Sequence, residues 1–191
     1  LHVRSRRQRQ MCIRDRRMID LVEDTLRLSR LDEGAADMQW APLDLYETAK
    51  SAMQELTAPA ELKNVSIQLE GTKTVIQGIP QLVSGIVFNL MDNAVKYNKD
   101  GGLVIVRLGQ EGNQAVLTVT DTGIGISPEH QERVFERFYR VDKSHSKEIG
   151  GTGLGLSIVK HAALILGAAI ELDSTVGKGT IVTVRFPMEK K

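Results

Sequence analysis

The chain has 191 residues, 41% hydrophobic and 26% charged, enough for one full domain with an appendage and a core of ordinary size. Its formal charge of +1 hides an asymmetry: residues 1–17 hold seven arginines and one aspartate, while the remaining 18 basic and 23 acidic residues leave −5, so the body offers no basic face for nucleic acid. A single cysteine, Cys12, excludes an internal disulfide and fits a reducing cytosol, no apolar run reaches the roughly 18 residues of a membrane span, and no signal peptide is visible.

Residues 1–16 carry no periodicity. Such an Arg-rich arm can meet nucleic acid or anionic lipid, but the preferred reading is a disordered or non-native end. Residues 17–33 read as a helix: Met18, Leu21 and Leu28 form one apolar stripe, Ile19, Val22 and Leu26 an adjacent one, with charges opposite. A face this wide suits a helical hairpin or bundle. With no partner helix in the chain, it packs on the main domain or on another copy. Gly34 ends it, residues 34–42 read as a linker holding Trp40 as a packing anchor, and the main domain is expected over 43–191.

In that domain Leu45, Ala49, Ala52 and Leu56 mark a helix ending near Pro59. Val65–Leu69 alternates as a strand, and Thr74–Gln77 is a shorter one. From Gln81 to Asn98, apolar residues recur at helical spacing at Val83, Ile86, Val87, Leu90 and Ala94. On another face Asn89, Asn93 and Lys96 fall at i, i+4 and i+7, with Tyr97 beside them. Two carboxamides one turn apart beside an ammonium suit a hydrated cation and the phosphates it carries, because amide oxygen is a hard ligand and Lys a point charge; the plainer alternative is a solvated polar face. Strands follow at Leu103–Leu108 and Ala115–Thr120. Ser127 and Pro128 then read as the cap and first position of a helix through Phe135. After a loop over 141–151 come a helix at Leu154–Gly167, a strand at Ala168–Leu172 and a final strand at Thr180–Phe186. Hairpins mixed with helices predict a mixed sheet of about five main strands with helices on one face, a two-layer α/β sandwich of the α+β class.

Asp121-Thr122-Gly123-Ile124-Gly125-Ile126 follows a strand. Its glycines let a ligand approach the backbone, and an ionised Asp only accepts hydrogen bonds, so it would take the adenine amine and repel the guanine carbonyl. Asp-Thr-Gly is also the catalytic tripeptide of aspartic proteases, but those need two carboxylates sharing a proton, and one copy would require a dimer. Gly150-Gly151-Thr152-Gly153-Leu154-Gly155-Leu156 opens a helix, where free N–H groups can hold phosphate. It is neither a Walker loop nor the dinucleotide fingerprint. Gly177-Lys178-Gly179-Thr180 would pass as a hairpin turn. Phe135-Glu136-Arg137-Phe138-Tyr139-Arg140 lies between the first two; its aromatics read as packing residues, and Arg140 is either a contact for a γ-phosphate or, like most arginines near loops, simply solvated.

In this order, Asn-x-x-x-Asn-Ala-x-Lys-Tyr, Asp-x-Gly-x-Gly-Ile, Phe-Glu-Arg-Phe-Tyr-Arg and Gly-Thr-Gly-Leu-Gly-Leu resemble the asparagine, first glycine, phenylalanine and second glycine boxes of sensor histidine kinases. The resemblance covers residues 17–188. It implies the Bergerat ATP-binding fold shared with DNA gyrase, Hsp90 and MutL, with ATP and Mg²⁺ as cofactors. Asn93 would ligate Mg²⁺, with Asn89, Lys96 and Tyr97 around the phosphates. Asp121 would bind adenine, supported by Thr180 and lined by Gly123, Gly125 and Ile126. Residues 126–150 would be a mobile lid carrying Phe138, with Arg140 meeting the γ-phosphate. Gly151, Thr152, Gly153, Leu154, Gly155 and Leu156 would line the triphosphate.

Hydrolases of this wider group carry a Glu one turn before the Mg²⁺ asparagine. Here Asn89 stands there and cannot act as a general base. The resemblance therefore implies a kinase that presents the γ-phosphate to a separate nucleophile, with Asn89, Lys96 and Arg140 as its catalytic contacts. The family's acceptor histidine belongs to a hairpin helix that this sequence lacks: His2 has no acidic neighbour or following Pro, and His130, His145 and His161 lie on the nucleotide domain. Residues 17–33 resemble the second hairpin helix, so an N-terminally truncated kinase is expected, unable to autophosphorylate alone. Its partners would be the phosphoacceptor hairpin of a homodimer and a response-regulator receiver domain. It would lie on the cytoplasmic side of a bacterial membrane-anchored sensor whose anchor precedes this sequence. The alternatives are a non-catalytic ATP-binding or interaction module left by truncation and, less well matched by the helix at 17–33, a serine kinase on the same fold.

Overall fold

A computed structural model describes residues 38–141 and 151–188, together with Met18, Leu21, Val22, Thr25, Leu26 and Ser29, all six helical. Seven strands are present among the described residues: β1 Ala41–Asp44, β2 Ser66–Glu70, β3 Val75–Gly78, β4 Leu103–Glu111, β5 Gln114–Asp121, β6 Ala169–Thr175 and β7 Gly179–Pro187. The α-helices of the domain are α1 Leu45–Leu62, α2 Pro80–Lys96, the single turn α3 Pro128–Gln131, and α4 Gly155–Leu166.

Five strands form one sheet in the order β2-β4-β5-β7-β6, while β1 and β3 pair separately as an antiparallel ribbon. β2 and β4 run parallel because α2 lies in the connection between them; the remaining neighbours are antiparallel, two of the pairs joined by tight hairpins. The sheet is therefore mixed, as its sequence order predicts. Along β4, β5 and β7 the residues Val104, Val106, Leu117, Val119, Val184 and Phe186 point to one buried face, as the period of two in a strand requires. The helices cover that face. α2 supplies Val83, Ile86, Val87, Leu90 and Met91 to the core, and it packs between α1 and α4.

Several boundaries differ from the sequence reading. β1 begins at Ala41, inside the stretch read as a linker, and Met38 and Trp40 already pack against the core, so the domain starts before residue 43. α1 does not end at Pro59 but runs through it to Leu62. Proline removes one helical N–H and crowds the preceding turn, yet Leu56 and Ala60 on either side are buried, and that packing keeps the last turn. The helix expected from Ser127 to Phe135 is one turn followed by a 3₁₀ turn at Arg133–Phe135, and the Ser127 side chain makes no capping bond. Neither turn buries a residue, so no apolar face was available to extend the helix. α4 ends where expected, with Gly167 in the left-handed conformation at φ 66°. In the N-terminal segment, Met18, Val22 and Leu26 are exposed. The rest of the 17–33 segment, and the arm at 1–16, lie outside the described residues.

Ile86 is fully buried at the centre of α2. Ile86→Ala should cost about 2–5 kcal/mol by lost transfer energy and the cavity left behind. Urea unfolding checks this, and an unchanged midpoint would place α2 outside the core.

Candidate functional site

α2 buries one side against the core, and its other side carries Asn89, Asn93 and Lys96. The Asn89 amide nitrogen donates to the Gly85 carbonyl one turn earlier, at 2.8 Å. A carbonyl only accepts, so the nitrogen is committed to the helix and Oδ1 is the atom turned outward. Gly155, the first residue of α4, stands against it: a Cβ there would lie 2.9 Å from Asn89 Oδ1 and 3.7 Å from Asn93 Nδ2. Any side chain at Gly155 would fill the space both carboxamides face. The asparagine box and the second glycine box are thus brought together by the packing of α4 on α2.

The end of α2 joins the other boxes. The Tyr97 carbonyl accepts from Ile124 N at 3.1 Å, and Gly123 packs directly on the same carbonyl. The Tyr97 hydroxyl lies 3.1 Å from the position of a Cβ at Gly151. Asn98, buried just beyond, donates from Nδ2 to Leu103 O at 3.1 Å and accepts on Oδ1 from Lys99 N at 3.0 Å and the Thr122 hydroxyl at 3.2 Å. Neither Asn98 nor Thr122 was singled out in the sequence. The turn glycines between Asn98 and Leu103 were the available signal.

Asp121 ends β5, one residue beyond the last β5–β7 pair, Thr120 with Ile181. Its Oδ1 accepts the N–H groups of Gly123 at 2.8 Å and Thr180 at 3.2 Å. Burial pushes the carboxyl above its ordinary range, and those two N–H donors pull it part of the way back. The turn closing this corner needs glycine. Gly179 has φ 119°, and a Cβ there would collide with the Asp121 carbonyl.

The phenylalanine box meets the second glycine box through one backbone bond, Phe138 N to Gly153 O at 2.9 Å. Phe138 takes a positive φ of 62° and its side chain is 60% exposed, so it is not the packing residue the sequence suggested. Tyr139 is held instead, its hydroxyl 2.6 Å from His130 Nδ1 and its ring under the Arg133 guanidinium at 4.3 Å. The start of the expected lid is anchored: Ile126 N donates to Ser174 Oγ at 2.8 Å, and Gln131 Nε2 donates to Ile126 O at 2.9 Å. Ser174 and Gln131 were also missed, because both belong to pairings made across 43 residues or more of sequence. Arg140 is half-buried; residues 142–150 of the expected lid lie outside the described residues. Leu154 is 1% exposed with its side chain in the core, so only its main chain is available to a ligand. Leu156 packs partly against the core, and Thr152 Oγ1 accepts Leu154 N at 3.2 Å.

Lys96 pairs with Asp92 across one helical turn at 2.6 Å. Pairs of this spacing contribute only about 0.2–0.5 kcal/mol, which a multiply charged phosphate can outbid. A separate groove of about 790 Å³ runs between α1, α2 and α4, past Gly85, Asn89 and Ile158; neither Asp121 nor any residue of the glycine boxes lines it.

Among known proteins, the family model described as histidine kinase-, DNA gyrase B-, and HSP90-like ATPase matches residues 78–190. The circadian input-output histidine kinase CikA of Synechococcus elongatus is 35% identical over 174 residues, which make up 89% of this chain and 23% of that protein. The phosphate regulon sensor protein PhoR of Pseudomonas aeruginosa is 37% identical over 171 residues, 89% of this chain and 39% of its own length. The chain thus spans well under half the length of these curated relatives. Among solved structures, the mycobacterial sensor histidine kinase MprB superposes with a TM-score of 0.70 at 30% identity, covering 80% of this chain and all of that one. Full-length ShkA in complex with AMPPNP superposes at 0.79 and 26% identity, covering 91% of this chain and 36% of ShkA.

An acid whose folded pKa is raised contributes stability below its unfolded pKa and loses it as pH rises through the folded value. Asp121→Asn should therefore raise the thermal midpoint of the ligand-free protein at neutral pH, and the gain should vanish below the ordinary carboxylate range. Thermal scans across pH check this; a variant less stable than wild type at every pH would mean that the carboxylate stabilises the fold.

Proposed function

We propose, since this chain belongs to the family of histidine kinase-, DNA gyrase B- and HSP90-like ATPases, that it is the ATP-binding catalytic part of a two-component sensor histidine kinase. It would transfer the γ-phosphate of ATP to a histidine on a helical hairpin, for relay to a response-regulator aspartate. The observation that carries this reading is the meeting of Asn89 and Asn93 with Gly155, joined through Tyr97 to the loop that Asp121 holds.

In this reading Asp121, an acceptor when ionised, takes the exocyclic amine of adenine. Asn93 would hold Mg²⁺ through its carboxamide oxygen, with Asn89 beside it toward the phosphates. A carboxamide oxygen is a hard donor, and a single protein ligand suits an ion that keeps waters and substrate phosphates. Mg²⁺ when bound would neutralise charge on the β- and γ-phosphates. Lys96 exchanges Asp92 for phosphate, Arg140 adds a second cation, and the N–H groups at the start of α4 face the phosphate chain. No carboxylate occupies position 89, so no general base is placed there to activate water, and the γ-phosphate is kept for a protein nucleophile. The acceptor hairpin, a homodimer, a receiver-domain partner and a cytoplasmic position beside a membrane anchor belong to the same proposal. Among the described residues no helix is long and apolar enough to cross a membrane.

Two measurements test it. Calorimetric titration should detect Mg²⁺-dependent ATP binding that Asn93→Ala and Asp121→Asn each weaken at least tenfold. Adding a purified hairpin domain from a related kinase together with labelled ATP should place acid-labile phosphate on the hairpin, while ATP alone turns over slowly. Binding without transfer to any hairpin would favour a non-catalytic module, and rapid turnover of ATP with no acceptor would indicate a hydrolase.

A further inference from the structure

Ser174, near the end of β6, joins three parts of the site through one hydroxyl. Its Oγ accepts Ile126 N at 2.8 Å, lies 3.0 Å from the Gly179 carbonyl and lies 2.9 Å from Thr180 Oγ1. A hydroxyl has one proton, and a carbonyl can only accept. The Ser174 proton therefore goes to Gly179 O, and the bond between the two hydroxyls must use the proton of Thr180. With its only proton committed inward, the Thr180 hydroxyl can offer nothing but lone pairs to a ligand. Thr180 is also the residue whose N–H binds Asp121 Oδ1 at 3.2 Å, so this hydroxyl belongs to the same corner as the carboxylate. Gln131 holds Ser174 in register from the other side, spending its amide donors on Ile126 O at 2.9 Å and Ser174 O at 2.8 Å.

We propose that Ser174 is a positioning residue for nucleobase selection: by taking the Thr180 proton it makes that hydroxyl a second acceptor beside Asp121. This rests on the adenine-binding reading of Asp121 given above. Two acceptors suit the exocyclic amine of adenine and oppose the O6 carbonyl of guanine, which would be left facing lone pairs. A threonine hydroxyl free to rotate would donate to that carbonyl and relax the choice. Specificity at this site then depends on a residue that need not touch the base at all.

The test compares ATP and GTP binding, each with Mg²⁺, by calorimetric titration of the full chain and its variants. Ser174→Ala should narrow the ATP-to-GTP affinity ratio at least tenfold, and Ser174→Thr, which keeps the hydroxyl, should restore it. A change in fold stability alone would weaken both nucleotides together and leave the ratio where it was. An unchanged ratio in Ser174→Ala, with ATP still bound, would overturn this inference and leave the nucleotide site standing; a wild-type chain that binds no ATP would overturn both. Should Ser174→Ala fail to fold, Thr180→Val removes the acceptor itself and must narrow the ratio in the same way, and a wild-type ratio there would equally overturn the inference.

Discussion

The burial of α2 sets the geometry of everything around it. It lies between α1 and α4 with the sheet beneath, and eight of its 17 residues are buried. A helix packed on one side leaves the opposite side unburied, and in this chain that side holds the two carboxamides and Lys96. The apolar stripe therefore fixes the direction of the polar side chains as firmly as any hydrogen bond they make. The close approach of Gly155 follows from the same packing, since α4 can reach the carboxamides only where it carries no side chain.

The second organising contact is electrostatic and local. A carboxylate placed half in the interior is costly unless donors meet it. Asp121 is met by two main-chain N–H groups from different parts of the chain, one from the loop that follows it and one from β7. Those donors offset part of the cost of burying its ionised form, and they also tie the first glycine loop to the β6–β7 turn. Ser174 and Gln131 extend the tie to Ile126 and the turn that follows it. The Asp121 end of the site is thus a hydrogen-bonded corner, whereas the asparagine end is built by helix packing. Lys96 sits on the same face as the asparagines in a pair with Asp92 one helical turn away, a spacing that contributes little.

The sheet and the three long helices were legible because each rests on local pattern: a period of two for β4, β5 and β7, a period of 3.6 for α2, and glycines at the turns; that the boxes share one site was implied only by the family resemblance. Apart from the short helix at Pro128, which had no face to bury, the departures lie where a distant contact outweighed a local rule. α1 passes Pro59 because Leu56 and Ala60 are buried against elements far along the chain. β1 forms at Ala41 because β3 pairs with it across more than thirty residues. Phe138 turns outward because its main chain is bound to Gly153.

By itself the sequence determined the order of the elements from α1 onward, the apolar face of α2 and the identity of the polar residues opposite, because these depend only on residue type and spacing. Only the tertiary structure decided which atoms meet: that Asn89 Oδ1 stands against Gly155, that Tyr97 joins both glycine boxes, and that Ser174 ties Ile126 to the β6–β7 turn. Those outcomes depend on distances between segments remote in the chain, and a hydrogen bond has no direction until its neighbours have claimed their own donors and acceptors.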